Sequence, residues 1–379
     1  MEHINPKKLA AAAPLDPEAA AKAAGLRYVD DSAPGFTRKK VGTGFGYRDT
    51  DGKVIRDPEV IKRIRSIGIP PAYTDVWICP DLRGHIQATG RDAKGRKQYR
   101  YHPRWSEIRD STKYAHMLEF AHALPKIRVR IDADMKKSGL PREKVLATVV
   151  NLLETTLIRV GNEDYVKENK SYGLTTLRNR HVDVNGKELR FEFKGKSGKQ
   201  WKLKVENRRV AKIVQACQEL PGQNLFQYLD DNNERKEVTS ADVNDYLREI
   251  SGLDISAKDF RTWAGTVLAA MALSEFEAVD SQARAKRNIK AAIERVASRL
   301  GNTVTICRKC YVHPEVFNSY LDGNLLADIK QEVENELKQD IGDLRPEEAA
   351  LLALLHKRLG KELKKPEVKE SRRKAKEAA

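Results

Sequence analysis

The chain has 379 residues, 40% of them hydrophobic, which is enough for roughly two or three domains with real cores. Lys and Arg number 70 against 54 Asp and Glu, and the net charge of +16 favours a polyanionic partner. The four cysteines are too few for a disulfide framework. No apolar run approaches the roughly 18 residues of a membrane span, and we find no secretory signal, so we expect a cytoplasmic protein.

Residues 1–24 are rich in Ala, Pro and Lys without periodicity and are predicted to form a flexible arm. Residues 25–105 are predicted to be a β-rich domain. Asp51-Gly52 is a strong hairpin signal. We predict strands over 41–47, 75–79, 85–89 and 97–102, and a short helix over 58–67.

The pattern becomes mostly helical over 106–323, and Val145, Val149 and Leu152 recur at helical spacing in the clearest helix. Residues 181–205 interrupt the helices with a small three-stranded sheet. Residues 324–379 are predicted to be a helical extension with a basic tail. The predicted fold class is α+β, with a small β-rich N-terminal domain and a larger helical domain that together could clamp a duplex. Helices are predicted over 106–124, 126–137, 141–157, 208–219, 240–250, 258–275, 280–300, 324–339 and 346–359.

Basic and aromatic residues alternate in the segment RDAKGRKQYRYHPR at 91–104. Tyr99 and Tyr101 would share one face of a strand, and Arg96 and Gln98 could reach phosphates or base edges. The alternative is a solvated edge strand whose charges oppose aggregation.

Several further residues suit phosphate chemistry, each with an ordinary alternative. Arg159 follows a long apolar face, where a guanidinium needs an anionic partner, phosphate or a structural carboxylate. Lys196 lies at a Gly-flanked hairpin tip and is either a general acid or a solvated turn lysine. Lys258 and Arg261 open a helix, where they would bind phosphate or pair with Asp254 or Asp259.

Tyr311 follows two cations and is either a nucleophile or a half-buried structural tyrosine. Cys307 and Cys310 form a CxxC without a second pair, so no metal site is predicted. The chain has no GxxxxGK[ST] loop and no acidic cluster that would demand Mg²⁺, so we expect no cofactor.

Five strings occur in one order: GRKQYRYHPRW, IRVGNEDY with SYGLTTLRNRHV, FKGKSGK, KDFRTWAG and GNTVTICRKCYVHP. In this order the chain, from about residue 25 to 322, resembles the type IB DNA topoisomerases, in the poxvirus-like branch found in bacteria. The resemblance implies that Tyr311 is the nucleophile, that Arg159 and Arg261 are the catalytic arginines, and that Lys196 is the general acid, with Lys194 as a neighbouring candidate. Asn302 occupies the position where the viral relatives have histidine.

The resemblance also implies cleavage of one strand of duplex DNA through a 3′-phosphotyrosyl intermediate, swivelling and resealing. Supercoils of both signs would relax without ATP or metal, and the protein would act as a nucleoid-associated monomer. Without DNA we expect an open clamp in which the Lys196 hairpin and the Tyr311 region are poorly ordered. The positions that match DNA-contacting residues of the family are Arg96, Gln98, Tyr99, Tyr101 and Tyr165, and Arg308 and Lys309 flank the nucleophile where they would hold phosphates.

Two other functions fit parts of the pattern. A tyrosine recombinase or integrase would share the Arg–Lys–Arg–Tyr chemistry, but residues 41–102 are predicted to be strands where a helical arm-binding domain would be expected. A non-catalytic DNA-binding protein fits the charge equally well and leaves the complete set of site residues unexplained.

Overall fold

A computed structural model describes residues 17–93, 95–276, 281–325, 327, 329 and 344–364, without the side chains at 17, 107–115, 164, 165, 168 and 360–364. The chain divides into two compact units, Met1–His116 and Met117–Ala379. Residues 1–16, most of the helix predicted from residue 324, and the tail beyond 364 lie outside the described residues. The predicted α+β class is confirmed, with a β-rich N-terminal unit and a larger helical unit.

The first unit is built on an antiparallel five-stranded sheet in the order β2-β1-β3-β4-β5. Ile64, the buried residue of the second helix, packs with Val76, Ile78 and Ala88 of the sheet. The elements are α1 (Pro17–Ala23), β1 (Phe36–Val41), β2 (Gly44–Arg48), α2 (Pro58–Ser66), β3 (Thr74–Ile78), β4 (Ile86–Arg91) and β5 (Lys97–Tyr101).

Three details of this unit differ from the sequence prediction. Part of the predicted arm is helix α1, because its alanines bury an apolar face with Leu26 and Trp105. The strand predicted over 41–47 is split by a tight turn at Gly42, whose φ of +57° suits glycine, and β1 and β2 pair on either side. Asp51-Gly52 does form a turn, but among the described residues it is flanked by a single isolated bridge, Arg48 to Val54, and not by two paired strands.

The second unit consists mainly of helices. It also contains the predicted three-stranded sheet, in the order β6-β7-β8, and a two-stranded hairpin. Its helices, the first of which begins before the unit boundary, are α3 (Pro103–Asp134), α4 (Arg142–Thr156), α5 (Glu163–Asn169), α6 (Arg208–Glu219), α7 (Ser240–Ser251), α8 (Ala257–Ser274), α9 (Gln282–Leu300), α10 (Val304–Cys310), α11 (Pro314–Leu321) and α12 (Pro346–Lys364). Its strands are β6 (Val182–Asn185), β7 (Glu188–Lys194), β8 (Gln200–Glu206), β9 (Gln227–Leu229) and β10 (Arg235–Glu237). Within the described ranges, no helix combines the length and apolar character that crossing a bilayer requires.

A single helix, α3, replaces the two helices predicted on either side of Pro125. A proline in a helix interior removes a hydrogen bond and costs about 3 kcal/mol. Phe120, Leu124 and Ile127 are fully buried before and after the proline, and their burial offsets that cost.

An ion-pair network ties helix α12 to the core. Arg128 donates to Glu154 at 2.7 Å and to Glu348 at 2.8 Å, and both carboxylates are largely buried. Farther along α12, Arg358 donates to Glu315 at 2.9 Å. Glu154 lies five residues before Arg159 and Glu315 four after Tyr311, so both pairs hold segments adjacent to candidate catalytic residues.

We predict that Arg128→Met destabilises the protein by about 3 kcal/mol, because two buried carboxylates lose their shared cation. Urea unfolding measures the change. Arg248→Met is the matched control, since Arg248 pairs with Asp245 and Asp254 at the surface and should cost at most about 1 kcal/mol. Equal losses for the two variants would contradict the prediction.

His181 is a buried histidine beside the three-stranded sheet, and its Nδ1 accepts from the Arg178 backbone N–H at 3.1 Å. Burial, followed by the charges of Arg180 and Arg178, lowers its pKa to about 4. Unfolded histidine titrates near 6.5, so between pH 6.5 and 4 the unfolded chain binds the extra proton and acidification destabilises the fold.

The free energy of unfolding should therefore fall by at most about 1.4 kcal/mol per pH unit on this account as the pH drops from 6.5 to 4. His181→Gln should lose that part of the pH dependence. Denaturant unfolding of both proteins at pH 7 and pH 5 measures the difference, and parallel losses in the two would refute it.

Candidate active site

The C-terminal end of helix α4 sets the position of Arg159. Leu157 caps this helix with a left-handed φ of +59°, which costs a non-glycine residue about 1 kcal/mol or more. The strained residue is held because its side chain is buried and its carbonyl accepts from Arg261 Nη1. The chain then leaves the helix and presents Arg159 two residues later.

The backbone around Arg159 is fixed by a second segment. The N–H of Leu174 donates to the Arg159 carbonyl at 2.9 Å, and that of Thr175 donates to Val160 at 2.7 Å. Gly173 approaches so closely that a Cβ there would lie 2.6 Å from the Arg159 carbonyl oxygen and from Gly161. The close approach explains why the strings IRVGN and SYGL each carry a glycine.

The two arginines bind carbonyl groups and not carboxylates. Arg261, on helix α8, is only 3% exposed and donates from Nη2 to the Leu300 carbonyl at 2.7 Å. Arg159 donates from Nη2 to the Gly301 carbonyl at 3.1 Å and to Asn302 Oδ1. In the described part of the chain neither guanidinium has an ion-pair partner. Burial lowers the pKa of both, and they remain charged at neutral pH.

Tyr311 lies directly after helix α10, held by its backbone against helix α8. Its carbonyl accepts from Thr266 Oγ1 at 3.3 Å, and the Arg261 guanidinium lies 5.4 Å from the centre of its ring. Gly265 makes this seat possible, because a Cβ there would lie 2.6 Å from the Tyr311 carbonyl oxygen. Helix α8 therefore supplies both a buried guanidinium and the support of the tyrosine.

These side chains share one cleft of about 260 Å³. Its lining includes four cations, Arg159, Lys196, Lys258 and Arg261, together with Tyr311, and none of the described residues in that lining is a carboxylate. The Oδ1 of Asn302 accepts a hydrogen bond from Arg159, and its buried Nδ2 has no partner among the described residues. The cleft is suited to an anion with oxygens on several sides, placed beside a phenol.

Comparison with known proteins agrees with this geometry. A model of the eukaryotic DNA topoisomerase I catalytic core matches residues 102–341, and one of the bacterial DNA topoisomerase IB N-terminal domain matches residues 44–92. DNA topoisomerase 1B of Acanthamoeba polyphaga mimivirus is 32% identical over 285 residues, which cover 73% of this chain and 85% of that protein. The chain belongs to the type IB DNA topoisomerases. Vaccinia virus DNA topoisomerase 1B (strain Copenhagen) is 25% identical over 277 residues, covering 71% and 83% of the two chains.

The five residues inferred from the family resemblance come together in the second unit, as Arg159, Lys196, Arg261 and Tyr311 line the cleft and Asn302 binds Arg159. The open clamp expected without DNA, with the Lys196 hairpin and the Tyr311 region poorly ordered, stays a prediction. Lys194, the alternative for Lys196, does not line the cleft.

The carboxylate pairings considered for Arg159, Lys258 and Arg261 do not occur in the described part of the chain. Asp259 accepts from the N–H and the hydroxyl of Ser256 as a helix cap, and Asp254 pairs with Arg248. The arginines of this type IB enzyme are therefore left for an external anion.

The positions of the first unit that are predicted to contact DNA lie on or just before strand β5. The rings of Tyr99 and Tyr101 stack at 5.9 Å on one face, as predicted. Arg96 donates to Asp92 Oδ2 at 2.6 and 2.8 Å, and Gln98 donates to the same oxygen at 3.0 Å. One carboxylate thus orients the two polar side chains proposed to touch DNA.

The remaining contact positions belong to the second unit. Arg308 and Lys309 are exposed on helix α10, where the Arg308 guanidinium lies 5.3 Å from the centre of the Phe317 ring. Tyr165 lies in helix α5, but its side chain is outside the described part. Sequence reasoning missed Gly173, Gly265 and Lys199, although each stands in a string that resembles the family.

We predict that Gly265→Ala slows DNA cleavage by about 10²-fold, because the new methyl must push the Tyr311 carbonyl away and misplace the phenol. Single-turnover cleavage of a duplex measures the effect. Gly44→Ala is the matched control, since its Cβ would lie 3.9 Å from its nearest neighbour, and it should cleave like the wild type. A Gly265→Ala protein with normal cleavage would show that Tyr311 tolerates the shift.

Proposed function

We propose that the protein relaxes supercoiled duplex DNA by transient cleavage of one strand, with Tyr311 as the nucleophile. The observation that carries the proposal is a cleft in which two guanidiniums, the buried Arg261 and the partly buried Arg159, stand beside Tyr311 and have no carboxylate partner among the described residues. A buried cation without a counterion is costly, and a phosphodiester supplies the missing charge in a shape that guanidinium matches.

In the first step the phenol of Tyr311 loses its proton to solvent, its oxygen attacks a backbone phosphorus, and the bond from phosphorus to the 5′ oxygen breaks. The products are a 3′-phosphotyrosyl ester and a strand that ends in a 5′-hydroxyl. Arg159 and Arg261 hold the non-bridging oxygens as negative charge builds on them, and the open Nδ2 of Asn302 donates a further hydrogen bond.

The leaving 5′ oxygen is far more basic than a phenolate, so it must receive a proton as the bond breaks. We assign that proton to Lys196, which lines the cleft at the tip of the β7–β8 hairpin. In the reverse step the 5′-hydroxyl returns its proton to Lys196 and attacks the phosphotyrosyl ester, and the phenolate that is expelled takes a proton from solvent. The ester conserves the bond energy, so resealing requires no nucleotide, and the duplex swivels while the strand is open.

We further propose that both units contribute DNA contacts and that the protein acts as a monomer on the chromosome. Tyr99 and Tyr101 offer stacked rings, and Arg96 offers a cation already held by Asp92. Arg308 and Lys309, on the helix that precedes the nucleophile, would bind phosphates that flank the cleaved bond.

Relaxation of supercoiled plasmid in EDTA without ATP tests the proposal. The wild type should relax positive and negative supercoils, whereas Tyr311→Phe should relax neither and still bind DNA. Tyr228→Phe is the matched control, because Tyr228 belongs to the β9–β10 hairpin and not to the cleft, and its activity should be unchanged.

Denaturing the reaction with detergent should trap a covalent protein–DNA complex for the wild type alone. The free DNA end in that complex should accept phosphate from polynucleotide kinase, since it carries a 5′-hydroxyl. A plasmid that stays supercoiled, together with recombination between two copies of one short site, would favour the recombinase alternative. Relaxation by Tyr311→Phe would remove Tyr311 from the mechanism.

A further inference from the structure

A second lysine of the β7–β8 hairpin, Lys199, reaches the C-terminal end of helix α9. Its Nζ donates to the Ser298 carbonyl at 2.6 Å. The last carbonyls of a helix carry partial negative charge and lack partners within the helix, so a lysine there is stabilised. The contact joins residues 99 positions apart in the chain.

The aliphatic part of the Lys199 side chain is packed against its neighbours, in addition to the contact that its amino group makes. Nζ lies 4.8 Å from the centre of the Trp201 ring, and both side chains cover Gly301, which ends helix α9 with a φ of +65°. A Cβ on Gly301 would lie 2.8 Å from the Trp201 ring and 3.0 Å from Lys199 Cδ. The β7–β8 hairpin and the C-terminal end of helix α9 therefore meet at Gly301, the residue directly before Asn302.

The tip of the hairpin is held by the same residue. The Lys199 carbonyl accepts from the Gly195 N–H at 2.7 Å, which closes the short turn Lys196–Gly198. Lys199 is thus hydrogen-bonded both to the end of helix α9 and to the turn that carries Lys196. Burial, followed by the charges of Arg159 and Arg261, lowers the pKa of Lys199, which agrees with a position beside the cluster of cations.

We propose that Lys199 is a positioning residue for the transesterification, which anchors the hairpin to the end of helix α9 so that Lys196 is held where the 5′ oxygen leaves. The inference rests on the proposed function, since it assigns Lys199 a part in the same reaction. Lys199 does not line the cleft, so it acts through Lys196 and not on the phosphate itself.

A duplex with sulfur in place of the leaving 5′ oxygen separates this role from a general loss of structure. A thiol has a pKa near 8.5, far below that of an alcohol, so a thiolate leaves without a proton donor. A residue that acts through the general acid should matter with the oxygen substrate and not with the sulfur substrate. A residue that holds the phosphate should matter with both.

The experiment measures single-turnover cleavage of matched oxygen and sulfur duplexes. We expect Lys199→Met to slow the oxygen substrate by about 10²-fold while leaving the sulfur substrate within about twofold of the wild type, as Lys196→Ala also should. Lys199→Arg keeps a donor and a cation of similar reach and should restore most of the rate. Lys202→Met is the matched control, an exposed lysine of strand β8 paired with Glu192 at 2.7 Å, and should behave as the wild type.

Unchanged cleavage by Lys199→Met, or an equal loss with both substrates, would overturn the inference. A melting curve and the DNA affinity at fixed salt check that Lys199→Met folds. If it does not fold, the same ratio of cleavage rates is measured with Lys199→Gln. A wild type that cleaves neither substrate would overturn the proposed function, and this inference with it. The wild type therefore tests the proposed function, and the ratio of the rates of Lys199→Met with the oxygen and sulfur duplexes tests the role of Lys199.

Discussion

The C-terminal end of helix α9 is the constraint around which the cleft is built. Three of its carbonyl groups accept from three cations of other segments: Ser298 from Lys199, Leu300 from Arg261, and Gly301 from Arg159. Each cation comes from a different part of the chain, and the helix end orients all three without neutralising them. Carbonyl dipoles carry only partial charge, so the positive charge of the cluster remains available to a ligand.

Binding the cations to carbonyl groups, and not to carboxylates, lowers the stability of the protein but keeps the cations available for the reaction. A carboxylate beside Arg159 or Arg261 would stabilise the buried charge, and it would also compete with phosphate for the same donors. The protein places its carboxylates elsewhere: Asp259 caps a helix, and Glu154 and Glu348 surround Arg128. Ion pairs thus join helices α3, α4 and α12 of the scaffold, while the cleft keeps its cations for the substrate.

The sequence predicted the elements better than their contacts. Helical periodicity placed α4 and α6 within one or two residues, and alternation with glycine turns placed β6, β7 and β8. The continuous helix through Pro125 was missed, because local propensity was overridden by burial of an apolar face that only the tertiary structure provides. The roles of Gly173 and Gly265 depend on backbone approaches between distant segments, and nothing in their own neighbourhoods distinguishes them from turn glycines.

Asn302 shows how the hydrogen bonds of the site limit the choice of residue. Its Oδ1 accepts from Arg159, and its Nδ2 is left as a buried donor. A neutral imidazole, the group that the family resemblance gives the viral relatives at this position, also offers one acceptor and one donor on opposite sides of a planar group. Asparagine and histidine can therefore both bind the arginine on one side and a phosphate oxygen on the other. They differ in that the amide cannot take up a proton, so the donor contact at this position does not depend on pH near neutrality.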